Sequence, residues 1–234
     1  MSYIALLKKY YVPCLFGIFL LVWAWSSYHP ASGENWFIEN RATFIFLPII
    51  YGFCIWYIKF SKLSFTLATI FLILHVVGSH YGYGSAPFGG MLGKILGISG
   101  NIYDKLVHFS FGFLILYPLR EFFLRVSSTK GFWSYLFPFM GILGLSSIYE
   151  IFEWITVLNL DSKIAYLFIG GSDPFDTTKD MFSAGIGALL ALLIVAALER
   201  FHLKEVFWKK IKNSFKRDGR TFPKEDKILH KDII

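Results

Sequence analysis

Two pairs of ionisable residues in this chain share a helical face with each other. Asp104 and His108 stand four apart, and Glu150 and Glu153 three apart. Lys105 lies beside the first pair. His75 and His80 precede it, and Asp173, Asp176 and Asp180 follow the second pair, the last two again four apart. A mixture of carboxylates and imidazoles suits a divalent metal of the zinc, manganese or iron type better than calcium, which prefers oxygen alone. The expected ligands are His80, Asp104, His108 and Asp176, with Glu153 or Glu150 as general base. His75, Lys105, Asp173 and Asp180 are assigned to the substrate or to the ligands' own partners. Such a metal polarises a phosphoryl or carbonyl oxygen and lowers the pKa of bound water, from which a carboxylate takes the proton.

Most of these groups also have a role without chemistry. His75 can pack helices, His80 can be solvated, and Asp104 can complement a helix N-terminus beside the expected cap Asn101. The three aspartates can belong to a hydrated loop and a first helical turn. Glu150 and Glu153 need partners inside a membrane helix, and Lys105 and His108 are the obvious ones, so a structural ion-pair network is the competing account.

The elements that position these residues are membrane helices. The chain has 234 residues, 55% hydrophobic and 17% charged, with mean hydropathy +0.53, which excludes a disordered chain and an ordinary soluble domain. One residue in five is aromatic, as expected where rings fill lipid-facing grooves and interfacial belts. Apolar segments run at about Tyr10 to Trp25, Ala42 to Ile58, Leu63 to Tyr81, Ile102 to Phe123, Phe132 to Leu158 and Met181 to Leu198. Each approximates the ~20 residues that cross ~30 Å of hydrocarbon. The expectation is an all-α, polytopic bundle of six transmembrane helices over residues 1–199, followed by a basic cytoplasmic tail over residues 200–234.

Of the 23 basic residues, 18 fall on one side of this arrangement, eleven of them in the tail. Arg41, Lys94, Lys105, Lys163 and Lys179 fall on the other. The positive-inside rule then places both termini in the cytoplasm, as does an even number of crossings. The net charge of +7 thus has a membrane cause, and no nucleic-acid partner is expected. The partner implied is lipid, with the first half of the tail lying on the inner leaflet. This orientation puts every ionisable group above near the extracytoplasmic face. A charge at a helix centre costs about 2.5 to 3.5 kcal/mol on insertion scales, so groups gathered at one depth need compensation from one another or from a ligand.

Smaller features complete the reading. Lys8, Lys9 and the following apolar run resemble a signal peptide, but Ala24-Trp25-Ser26 is a poor cleavage site and an uncleaved anchor is expected. Cys14 and Cys54 have no zinc-type spacing and read as small buried hydrophobes. Seven glycines between Gly82 and Gly100 make a flexible outer loop whose Phe88, Met91 and Ile95 can dip into the interface. Ser183, Gly187 and Ala191 form a small-residue face on the last segment. Ser146 and Ser147 suggest a rhomboid-like protease, which the lack of a histidine in the sixth segment excludes.

At these residues the chain resembles the YjdF-type family of bacterial inner-membrane proteins. The stretches that carry the resemblance are Leu74 to Pro87, Asn101 to Phe113, Tyr117 to Glu121, Tyr149 to Trp154 and Gly170 to Met181. The family's last motif, Gln-Gly-Asp-x-Trp-Asp-Thr-Gln, is here Gly171, Ser172, Asp173, Pro174, Phe175, Asp176, Thr177 and Thr178. The acids remain and both glutamines are replaced. A fainter similarity, through Asp-Lys-x-x-His, points to VanZ-like envelope proteins. The resemblance implies the bacterial inner membrane and the location of the site, with no reaction attached. Three functions follow: metal-dependent hydrolysis or transfer on a lipid or envelope precursor, a cation- or proton-coupled transporter, and a non-catalytic envelope scaffold.

Overall fold

The computed structural model describes residues 3–53, 57–158, 174–200 and 213. Its helices are α1 (Tyr3–Ser26), α2 (Gly33–Phe53), α3 (Lys62–Tyr81), α4 (Gly89–Leu96), α5 (Tyr103–Val126), α6 (Trp133–Val157) and α7 (Asp176–Arg200), with a 3-10 turn at Tyr83–Ser85. The described residues form an all-α membrane helix bundle. The helices α3, α5, α6 and α7 are long and apolar enough to cross a bilayer, and α1 adds an apolar stretch over Tyr10–Ser26. Asp173, Lys163, Cys54 and, apart from Asn213, the tail beyond Arg200 lie outside the described residues. Cys14 is exposed on α1, in contrast to the small buried hydrophobe that its sequence context suggests.

Hydropathy misplaces the start of α2, which begins nine residues before the expected Ala42. Ser32 accepts a hydrogen bond from the Asn35 backbone at 3.2 Å, and Glu34 complements the first turn. Asn35, Glu39 and Asn40, by contrast, are buried. Asn40 is fully buried, donates to Ser79 Oγ and the Trp36 carbonyl at 2.9 Å, and accepts from Trp23 Nε1 at 2.8 Å. A hydropathy window treats these residues as loop, whereas they join α2 to α1 and α3. Similarly α7 begins five residues before the expected Met181 and takes in Asp176 and Asp180.

Helix α5 is central, packing against α7 over the most extensive contact of the bundle and against α3 and α6; α1 lies on α3. The seam with α7 depends on missing side chains. A Cβ at Gly112 would stand 1.9 Å from the Ala184 carbonyl oxygen, and one at Gly187 2.1 Å from that of Phe109. Ala184, Ala188 and Ala191 continue the seam beside Leu116 and Ile142. The small-residue face therefore runs through 184, 187, 188 and 191, and Ser183 lies off it, lining a cavity.

At the end of α5 away from Asp104, Glu121 is 1% exposed and receives Arg125 Nη2 at 2.7 Å, Ser61 Oγ at 2.8 Å and Ser64 Oγ. Arg125 also donates to the Ile58 carbonyl, so the pair clamps the segment before α3 onto α5. Glu121→Ala is expected to lower stability by about 3–5 kcal/mol, because it leaves a buried guanidinium without its carboxylate. Thermal melting in detergent measures this.

Candidate functional site

The candidate site sits where α5 and α7 begin. Asn101 Oδ1 accepts from the Tyr103 backbone at 2.9 Å, and its Nδ2 donates to the Ala86 carbonyl at 2.9 Å, so Asn101 holds the head of α5 from one residue before the N-cap position, which is Ile102 and not Asn101 as expected. Gly89 on α4 backs onto the same asparagine, where any Cβ would meet Oδ1. Thus the glycine-rich segment, expected as a flexible loop, contains a short helix packed on the site's support, with Phe88, Met91 and Ile95 exposed on its far side.

Lys105 Nζ donates to Asp104 Oδ2 and Asp180 Oδ2, each at 3.1 Å, and to Asp176. The second oxygens of two of these carboxylates turn toward His108, whose Nε2 lies 3.6 Å from Asp104 Oδ1 and 4.0 Å from Asp180 Oδ1. On the other side of the ring, Nδ1 faces Glu150 Oε1 at 3.8 Å. Asp104, His108 and Asp180 each offer one ligand atom, all within 4.8 Å of one another. Asp180 is 2% exposed, and its Oδ1 has no hydrogen-bond partner among the described residues; the same holds for Glu150 Oε1 at 5%. Leaving such oxygens unsatisfied is costly, so two orphans around one imidazole mark a place for a cation or a proton.

The sequence-predicted residues divide among several places. Asp104 and His108 meet, joined by Asp180, for which the sequence suggests only a supporting role. Asp176, the aspartate expected as a ligand, engages Lys105, and Asp180 stands with Asp104 in the group around His108. His80 stands apart: its Nδ1 lies 3.0 Å from the Ser26 carbonyl and its ring is 4.4 Å from Trp25, which ties α3 to α1. His75 is held by Tyr83, whose hydroxyl lies 2.7 Å from Nδ1 and donates at 3.4 Å to the His75 carbonyl. Burial raises the Tyr83 pKa well above its ordinary value, so this hydroxyl stays protonated. Glu153 lines the same cavity as Asp104 and His108.

Two further residues, Glu39 and Tyr149, escape the sequence reading. Glu39 is 9% exposed and accepts from the Tyr149 hydroxyl at 3.3 Å, while the Tyr149 ring meets His108 edge-on with centroids 6.0 Å apart. A signal is present in Asn35, Glu39 and Asn40, polar residues just ahead of a hydrophobic run that by itself looks like the whole helix. Glu39, His75, Tyr149 and Glu153 line one end of a cavity of about 1600 Å³, above the usual ~300–1,000 Å³ of small-molecule pockets.

Comparison with known proteins agrees with this architecture. The family described as "Predicted membrane protein (DUF2238)" matches residues 11–201. The chain is 30% identical to Inner membrane protein YjdF of Escherichia coli (strain K12) over 173 residues, which is 74% of this chain and 81% of that protein. No solved structure matches. The fainter likeness to VanZ-like proteins gains no support from these matches.

Proposed function

We propose, for a chain that belongs to the DUF2238 family of membrane proteins, that Asp104, His108 and Asp180 hold a divalent cation used in hydrolysis or group transfer on a membrane-embedded envelope precursor. The observation that carries this is the buried, unpartnered Asp180 Oδ1 turned toward His108 Nε2 and Asp104 Oδ1. Lys105 supports it by holding the outer oxygens of both aspartates, as partners of metal ligands do, while Glu150 faces the far nitrogen of the imidazole. When bound, the cation supplies Lewis acidity and an acidified water. Glu153, in the same cavity, takes the proton.

Glu153→Gln is expected to abolish turnover of a phosphorylated lipid in proteoliposomes while retaining metal and shifting stability by less than ~1 kcal/mol, since the amide has the same shape. Equal turnover by the glutamine variant would remove Glu153 as base. The scaffold reading has its own observation, the three carboxylates on Lys105, and it predicts that Glu153→Gln leaves every cellular phenotype unchanged. The transporter reading is less favoured because the carboxylates gather at one end of the bundle and mark no path across it.

The proposal includes six crossings with both termini in the cytoplasm, supported by the partition of basic residues. Reporter fusions at Lys94 are expected to be extracytoplasmic. A cytoplasmic signal there would invert the site's side of the membrane.

A further inference from the structure

The cavity continues far beyond the polar site. On α3 its lining runs from Ser64 to Tyr81, a rise of about 26 Å, and on α5 from Asp104 to Pro118, about 21 Å. One leaflet of a ~30 Å hydrocarbon core is about half that thickness, so both walls extend past the bilayer midplane. Below Asp104 and Glu39 the walls are largely apolar, with Leu47, Phe65, Phe71, Leu72, Phe111 and Ile115, interrupted by Thr43 and Ser146. At the far end Ser64 is engaged with Glu121, which closes the polar chemistry there.

We propose that this cavity holds the hydrocarbon chain of a long polyisoprenoid phosphate, with its phosphate at the Asp104–His108–Asp180 centre. The acyl chains of an ordinary phospholipid end near the midplane, whereas this cavity continues across it and accepts one longer chain. The head group follows from charge. Lys105 and Lys179 line the mouth among Glu39, Asp104, Glu153 and Asp176, so the site is acidic and attracts a phosphate only when a cation is present. This inference rests on the cation reading for the head group and on the cavity alone for the chain.

The test uses the full-length protein in detergent, titrated with a long-chain polyprenyl monophosphate, the matching polyprenol and phosphatidylglycerol, with metal content measured on the same samples. Leu145 on α6 and Ala42 on α2 both line the cavity and are exposed, so Leu145→Trp and Ala42→Trp fill the cavity without disturbing a packed core. The expected result is saturable binding of the phosphate, about tenfold weaker after chelation, with phosphatidylglycerol at least about tenfold weaker still. Either tryptophan variant is expected to lose about tenfold in binding of both isoprenoids while keeping its metal. Equal competition by phosphatidylglycerol, or unchanged binding in both folded tryptophan variants, overturns the proposal. Polyprenol binding by a wild-type protein that takes up no metal upholds the chain site and refutes the cation reading, so the two fail separately.

Discussion

Gly112→Val is expected to leave little folded protein. A Cβ at this position lies 1.9 Å from the Ala184 carbonyl oxygen and 2.8 Å from the Ala188 nitrogen, and neither contact can move without moving α7. Parting α5 from α7 opens the largest helix contact in the bundle, and the penalty is about 3 kcal/mol or more. It also separates Asp104 and His108 from Asp176 and Asp180, so metal uptake and fold are lost together. Gly144→Ala is the control: nothing lies within 4 Å of the methyl it would add, and alanine favours a helix by up to ~1 kcal/mol. Detergent melting curves of both variants are the measurement, and equal melting temperatures would mean that the close seam is wrong.

Lys105→Met is expected to have a comparably large effect, but a recoverable one. The ammonium engages Asp104, Asp176 and Asp180, and its removal leaves three carboxylates repelling one another at an expected cost of about 3–5 kcal/mol. If a divalent cation belongs between Asp104, His108 and Asp180, it offsets the charge that the ammonium no longer neutralises, and ligand at 100 times its Kd restores about 2.7 kcal/mol. Melting the variant with and without zinc or manganese decides the matter. A variant equally unstable in both conditions points to a plain ion-pair network.

The sequence made part of the grouping legible before the full membership of the site. Spacing placed Asp104 with His108 on one helical face, and the costs of burial required company for them, both of which depend only on local geometry and solvent. Which aspartate joins them depends on the rotation of α7 against α5. The glycine and alanine seam sets that rotation, and it favours Asp180 over Asp176 at His108. His80 illustrates the limit of depth as an argument. It lies at the same end of the bundle, yet α3 turns it toward Trp25 and Ser26 on α1. Glu39 illustrates the limit of hydropathy, because residues buried for their hydrogen bonds look like loop to a scale of transfer energies.

The central claim is that the orphaned Asp180 oxygen, His108 and Asp104 bind a cation. Its most direct test is metal titration of purified wild-type protein and Asp180→Asn, since asparagine keeps the shape of the side chain and removes the charge. The account predicts one divalent ion per chain in the wild type and binding weakened by about tenfold or more in the variant. A wild-type protein that takes up no ion, or a variant that takes it up equally well, contradicts the account.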